Sequence, residues 1–493
     1  MNGIGELARG VVMLGIKGAA FDETLPLFGG YLLFGGDDVT LQAIRALTDA
    51  LRERSVELPP LIAIDQEGGP VARLRRGVEP MPSMMALGAA GDLDLARRAG
   101  EQTAFDLRRA GCMLDFAPVL DLALEPENCV IGTRSFGADP QQVASLGAAF
   151  GDGLARGGVS PCYKHFPGHG STATDSHEAL PFVSIDEATL RARELAPFAR
   201  IARDAAAIMT AHVVVRAFDS ERPATTSTRV LSGLLRDELA FEGVLVTDCL
   251  QMQAIAAHDS VASAVEALAA GADLLLFSHD VDVAVAAADA IEAAVDAGRI
   301  PFVRLQDAHR RVANLRAGAL PPLPLDAFPP HPGVGREIAR RAITVIRGVP
   351  HADPLASVAV SFGGSASELQ RETAVLKELI APLDPSDADV AGLLEALAQG
   401  ERRPLLLARR AHLHPSQAAA IVQILDRYPD ALVVSLREPF DVPLFAAARH
   451  LFATYGDDEA AIGGLADVLF GSCLPSGQLP VSLSPCRPGR VEG

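Results

Sequence analysis

Residues 162–177 read Cys-Tyr-Lys-His-Phe-Pro-Gly-His-Gly-Ser-Thr-Ala-Thr-Asp-Ser-His, so one cation, three histidines and a carboxylate share a stretch built largely of small, turn-forming residues. An imidazole titrates near neutral pH, and a neighbouring carboxylate fixes which ring nitrogen carries the proton. The pair Asp175-x-His177 is therefore a candidate for general acid/base work. Around it, Gly168, Gly170, Ser171, Thr172 and Ala173 bury little surface and disfavour a long helix, which places the pair on a loop able to move. His165 and His169 fit two readings, ligand contacts or braces for the turns.

Four further sites carry groups able to do chemistry. Asp65-Gln66-Glu67-Gly68-Gly69 leaves an apolar run with two carboxylates and a flexible turn; such acids are either ligand contacts or helix caps. Arg134 could fork to ligand hydroxyls or close a structural salt bridge. Asp248 ends Gly243-Val244-Leu245-Val246-Thr247, and a carboxylate at the dry end of a strand can attack an anomeric carbon to form an ester intermediate. His212, after Ile208-Met209-Thr210-Ala211, is either a substrate contact or a hydrogen-bonded wall residue.

These groups need a scaffold that brings them together. Short runs rich in Val, Ile, Leu and Met recur at 11–16, 31–34, 60–64, 113–119, 159–163, 206–211, 243–247 and 272–277, with helical stretches between them. Continuous apolar runs alternating with helices are what buried parallel strands require, and eight such units point to an α/β fold, a (β/α)8 barrel. An open doubly wound sheet shares the alternation. The barrel is favoured because Asp65, Asp121, Lys164, His165, His212 and Asp248 each follow one of these runs, and barrel enzymes gather their chemistry at the carboxyl ends of the strands.

At 493 residues the chain exceeds a single core. Six of the twelve residues 321–332 are proline, a semi-rigid spacer. The expected division is a catalytic barrel over 1–317, a proline-rich linker over 318–335 and a smaller α/β sandwich over 336–493. In that second unit apolar runs lie at 357–361, 404–408, 431–436 and 451–455, and Gly477–Leu483 is expected to add an edge strand. A net charge of −19 argues against a phosphate-backbone partner. Six cysteines without a paired spacing, no secretory leader and no apolar run long enough for a membrane imply a cytoplasmic, non-membrane protein with neither disulfide frame nor zinc knuckle.

Taken together, Ile64-Asp65-Gln66-Glu67-Gly68-Gly69, Lys164-His165-Phe166-Pro167-Gly168-His169-Gly170 with Asp175-Ser176-His177, and Thr247-Asp248-Cys249-Leu250-Gln251-Met252 resemble glycoside hydrolase family 3, in its β-N-acetylglucosaminidase branch. The likeness extends to the second unit through Ala339–Thr344 and Ser476–Val481. It implies that Asp248 is the nucleophile of a retaining mechanism and His177 the general acid/base, oriented by Asp175. Asp65, Arg134, Lys164 and His165 would bind the hydroxyls of one sugar, with Arg73 nearby; His212 and Met252 complete the candidate contacts. Pro70 stands where an arginine is usual, leaving local contacts open. Cys249 stands where a second aspartate often follows, which makes Asp248 the cleaner nucleophile.

The resemblance implies hydrolysis of terminal N-acetyl-β-D-glucosamine from cell-wall muropeptides, a small carbohydrate substrate, no cofactor and no metal, by a monomer or homodimer. Three other classes compete. A phosphorylase would use the same histidine, because a neutral imidazole does not repel phosphate. A metal-dependent hydrolase would need ligands from His165, His169, His177, His212 and Asp248, yet no two of these histidines are spaced His-x-His. A non-catalytic sugar-binding module is disfavoured because both catalytic positions are filled.

Overall fold

The structure is a computed structural model, described here for residues 3–36, 38–54, 59–128, 130–172, 180–253, 259–400, 402–471 and 473–483. Asp175 and His177 lie outside the described residues.

Eight strands form the first sheet: β1 (Val12–Ile16), β2 (Gly30–Leu33), β3 (Leu61–Ile64), β4 (Leu114–Asp115), β5 (Ser160–Phe166), β6 (Ala207–Thr210), β7 (Val244–Val246) and β8 (Leu275–Phe277). All neighbours are parallel, in the order β7-β6-β5-β4-β3-β2-β1-β8. A parallel bridge between Val246 and Leu274 joins β7 back to β8 and closes the barrel. Alternation along each strand sorts the side chains. Met13, Leu32, Ala63, Leu114, Cys162, Met209, Val246 and Leu276 fill the interior, while Leu14, Ile62, Ile64, Ile208, Leu245 and Phe277 pack outward against the helices. β4 is shorter than the run 113–119 because Pro118 has no N–H to give a ladder.

The helices begin and end on identifiable signals. Asp92 caps Leu93–Ala110 through Oδ1, which accepts from Asp94 N and Leu95 N, and Gly111 ends it at φ 81°. That helix crosses Pro140–Arg156 so closely that a Cβ on Gly100 would collide with the Phe150 carbonyl. Residues 319–333 hold neither helix nor strand, and they are strapped to the barrel. Arg45 Nη1 donates to Leu323 O at 2.8 Å, Arg108 Nη2 to Pro321 O at 2.9 Å and Arg109 Nη2 to Leu325 O at 2.7 Å.

The second sheet comprises β9 (Thr344–Arg347), β10 (Ser357–Phe362), β11 (Lys377–Ala381), β12 (Arg403–Ala408), β13 (Leu432–Ser435) and β14 (His450–Ala453), in the order β9-β14-β13-β12-β10-β11. Only β9 runs antiparallel to its neighbour. Apolar clusters on both faces, one with helix Pro415–Arg427 and one with helix Glu459–Leu469, make it an α/β sandwich. The expected edge strand over Gly477–Leu483 is absent. Gln478 N donates to Ala89 O (2.9 Å) and Ala138 N to Pro480 O (2.9 Å), so this segment, interrupted by Pro480, binds the barrel instead of a strand.

Candidate active site

A cavity of about 280 Å³ opens at the carboxyl ends of the barrel strands. Asp65, Glu67, Arg73, Arg134, Lys164, His165, His169, Asp248 and Met252 line it, with Phe34, Phe116, Val130 and Met209 as apolar wall. The charged groups arrive from segments far apart in sequence, Asp65, Glu67 and Arg73 after β3, Arg134 after β4, Lys164, His165 and His169 on and after β5, and Asp248 after β7, so their meeting is a consequence of barrel closure.

Glu67 is the electrostatic centre. Buried at the floor, its carboxylate accepts from Arg134 Nε and Nη2, both at 2.8 Å, and lies 2.5 Å from Lys164 Nζ. Burial alone would raise its pKa, but the two cations outweigh that and hold it at about 2. Lys164 Nζ also donates to Asp65 Oδ1 at 2.8 Å. Burial would push the ammonium down; Asp65 and Glu67 reverse this and set it above its ordinary value. Two cations are thereby kept charged and aimed at a cavity, an arrangement that suits a ligand rich in hydroxyls.

A second carboxylate fixes the histidine side. Asp121 Oδ2 lies 2.6 Å from His165 Nδ1 and accepts His165 N at 3.1 Å, while Oδ1 accepts His169 N. Burial would raise the Asp121 pKa, and His165 brings it below the ordinary carboxylate range. With Nδ1 so occupied, His165 turns Nε2 outward. His169 is held down by burial, and its Nε2 finds no hydrogen-bond partner among the described residues.

Asp248 follows β7, and Cys249 N donates to its Oδ1 at 2.7 Å. Burial raises its pKa; His212, His165, that N–H and Lys164 together overcome the effect, so the carboxylate stays ionised. Its charge is therefore available at neutral pH.

His212, read from the sequence as either a substrate contact or a wall residue, is not among the cavity-lining residues. Its Nδ1 lies 2.8 Å from Thr225 Oγ1 and its Nε2 2.9 Å from Cys249 O, so it fastens the Asp248–Cys249 turn from behind. Arg73 lines the cavity with its guanidinium over the Phe34 ring, 5.5 Å from the centroid, and Gln66 pins its loop by accepting Arg73 N and Leu74 N at 3.0 Å each. Met252 forms part of the wall. Glu67 and Asp121 are the residues that sequence reasoning did not assign to the site, although both sit beside residues it did. Among the described residues no group of three or more His, Cys, Asp or Glu side chains is arranged to hold a metal ion.

Comparison with known proteins decides the family. The model of the glycosyl hydrolase family 3 N-terminal domain matches residues 23–315. The chain belongs to this family. A β-hexosaminidase of Chromobacterium violaceum is 42% identical over 287 residues, covering 55% of this chain and 79% of that protein. Among solved structures, a family 3 β-N-acetylglucosaminidase from Paenibacillus sp. superposes with a TM-score of 0.89 at 35% identity, over 98% of this chain and 99% of that one. NagZ from Neisseria gonorrhoeae, solved in complex with N-trifluoroacetyl-D-glucosamine, gives 0.53 at 32% identity, over 62% of this chain and 98% of that one. The first structure covers both sheets of the fold, whereas the second leaves more than a third of this chain unmatched.

Proposed function

We propose that this family 3 glycoside hydrolase is a retaining exo-β-N-acetylglucosaminidase that removes terminal N-acetyl-β-D-glucosamine from cell-wall muropeptides. The observation that carries the reading is an ionised Asp248 facing a cavity walled by Asp65, Arg134, Lys164 and His165, at the small end of ligand-site volumes and so suited to one sugar ring. The β-hexosaminidase and β-N-acetylglucosaminidase relatives support the same substrate class. Residues 1–317 are taken as the catalytic unit, 318–335 as the connector and 336–493 as the second unit. Cys112, Cys162, Cys249 and Cys473 are all free thiols, which supports a reducing, cytoplasmic setting.

In this mechanism Asp248 attacks the anomeric carbon as the bond to the leaving oxygen breaks, and that oxygen takes its proton from the His177 imidazolium. Neutral His177 then removes a proton from water, which displaces Asp248 and releases the sugar with its original configuration. Asp175 holds the His177 tautomer. Lys164, Arg134, Asp65 and His165 orient the ring, Arg73 and Met252 border it, and His212 holds the nucleophile's turn.

Replacing Asp248 with Ala is expected to lower kcat/KM on an aryl N-acetylglucosaminide by at least ~10³-fold, about 4 kcal/mol of transition-state stabilisation. A fluorosugar trapped on the wild type is expected to map to the Asp248 peptide. Retained turnover in the variant, or a label elsewhere, would remove Asp248 from the role, and sugar 1-phosphate formed in phosphate buffer would replace hydrolysis by phosphorolysis.

A further inference from the structure

Residues following β12 and β13 carry a second set of buried ionisable groups, and two of them touch the barrel. His412 Nε2 lies 3.2 Å from the carbonyl oxygen of Pro126. Its Nδ1 lies 2.7 Å from Asp441 Oδ1, and its backbone N–H donates to the same oxygen at 2.9 Å. A carbonyl and a carboxylate both accept, so making both ring bonds at once takes a proton on each ring nitrogen. Nearby, Glu438 is fixed by Arg410 Nε and Nη2 at 3.0 and 2.9 Å, and it presses on Gly132, where φ is +43° and any side chain would collide with the Glu438 carboxylate.

Pro126 and Gly132 belong to the same barrel segment, and the inner side of that segment is the sugar site. Arg134 reaches Glu67 from it, Val130 lines the cavity, and Val130 O accepts from Arg134 Nη1 at 2.9 Å. Asn128 accepts Val130 N and Ile131 N at 3.1 and 3.0 Å and donates through Nδ2 to His169 O at 3.2 Å. Apart from a single 3-10 turn over Gly132–Arg134, the described part of 124–134 has no regular structure of its own. Its outer face must be set by something else.

We propose that His412 is a positioning residue: by clasping the Pro126 carbonyl from the second unit, it holds the 126–134 segment so that Arg134 meets the sugar. This rests on the reading of Arg134 as a sugar contact. Because Gln places its amide nitrogen near the histidine Nε2 position and Asn near Nδ1, two substitutions separate the jaws. H412Q keeps the donor to Pro126, and H412N keeps the donor to Asp441.

The experiment measures steady-state kinetics and hydrogen exchange over residues 126–134 in both full-length variants. H412N is expected to lose about tenfold in kcat/KM, mostly through KM, and to exchange faster over that segment. H412Q is expected to stay within about threefold of wild type in both readouts. In an H412N background R134K is expected to cost less than it does in wild type, because the two changes act on one contact. Unchanged H412N, equal losses in H412N and H412Q, or additive effects with R134K would each overturn the proposal. His412 also packs edge-on against Phe440, ring centroids 5.7 Å apart, so if H412N does not fold, H412L, which keeps an apolar side chain there and lacks both donors, takes its place. Exchange needs no substrate: an inactive wild type sinks the functional reading alone, while unaltered exchange and turnover in H412N sink this one alone.

Discussion

The carboxyl ends of the parallel strands in the two sheets use the same kinds of residue in opposite ways. At the barrel mouth, buried Glu67 and Lys164 pair with partly exposed Arg134 and Asp65 and border a cavity, so their charge is directed at whatever enters. At the second sheet, Arg409, Arg410, His412, Glu438 and Asp441 are turned onto each other, onto backbone carbonyls and onto the barrel. Parallel sheets commonly bind ligands at this edge. The difference shows that topology offers the edge, while the pairing of the charges decides whether it becomes a site or a wall.

Glu67 is the sharpest place to break that contrast. In Glu67→Gln the Arg134 guanidinium loses its buried counter-charge and Lys164 keeps only Asp65. Removing one member of such a cluster costs ~3–5 kcal/mol of folding stability, read from urea denaturation. Because both cations also line the cavity, kcat/KM is expected to fall at least ~100-fold. An active, stable E67Q would mean that the cavity does not depend on this network.

The matching change in the second sheet is Arg409→Met. Arg409 Nη1 donates to Phe362 O at 2.6 Å and Gly364 O at 3.0 Å, and its Nε donates to Asp457 at 3.1 Å. Leaving those acceptors unmet is expected to cost ~1–3 kcal/mol, with kcat/KM within about threefold of wild type. A large catalytic loss at unchanged stability would move Arg409 from the wall to the site.

How much of this contrast was legible in the sequence depended on burial. The eight barrel strands were readable because both faces of each are covered, which demands unbroken apolar runs such as Leu61–Ile64. β11 was missed because Lys377–Ala381 lies at a sheet edge, half exposed, and carries Lys377 and Glu378. Gly477–Leu483 was misread as a strand because its apolar alternation is genuine, but its backbone makes single bonds to Ile343, Ala89 and Ala138, all remote in sequence, and these form no ladder. In the site, strand-end polar residues announced themselves by position. The roles of Glu67, Asp121 and His212 did not, since each is fixed by neighbours from other strands or segments: Lys164 and Arg134 for the first, His165 and His169 for the second, Thr225 and Cys249 for the third.

The two edges also differ in their response to acid, which gives the smallest and most discriminating test. Glu67, held at about 2 against an ordinary 4.5, contributes stability that is complete above about pH 4.5 and is lost as pH falls towards 2. Asp458, beside the second sheet, is the reverse case. Burial, aided by the like charge of Asp457, raises it to about 6, and its Oδ2 has no hydrogen-bond partner among the described residues. A raised carboxyl favours the folded state below its unfolded value near 3.8, and that advantage disappears as pH climbs through 6. Asn caps a helix as well as Asp does, so Asp458→Asn should keep the cap on Ala461 N while removing the buried charge. Calorimetry at pH 7.5 is expected to show Tm raised by about 2–4 °C, the shift that ~1 kcal/mol produces in a unit of this size. At pH 4.5, where the wild-type carboxyl is already protonated in the fold, the gain should shrink. An equal gain at both pH values would mean that shape rather than charge makes this position costly.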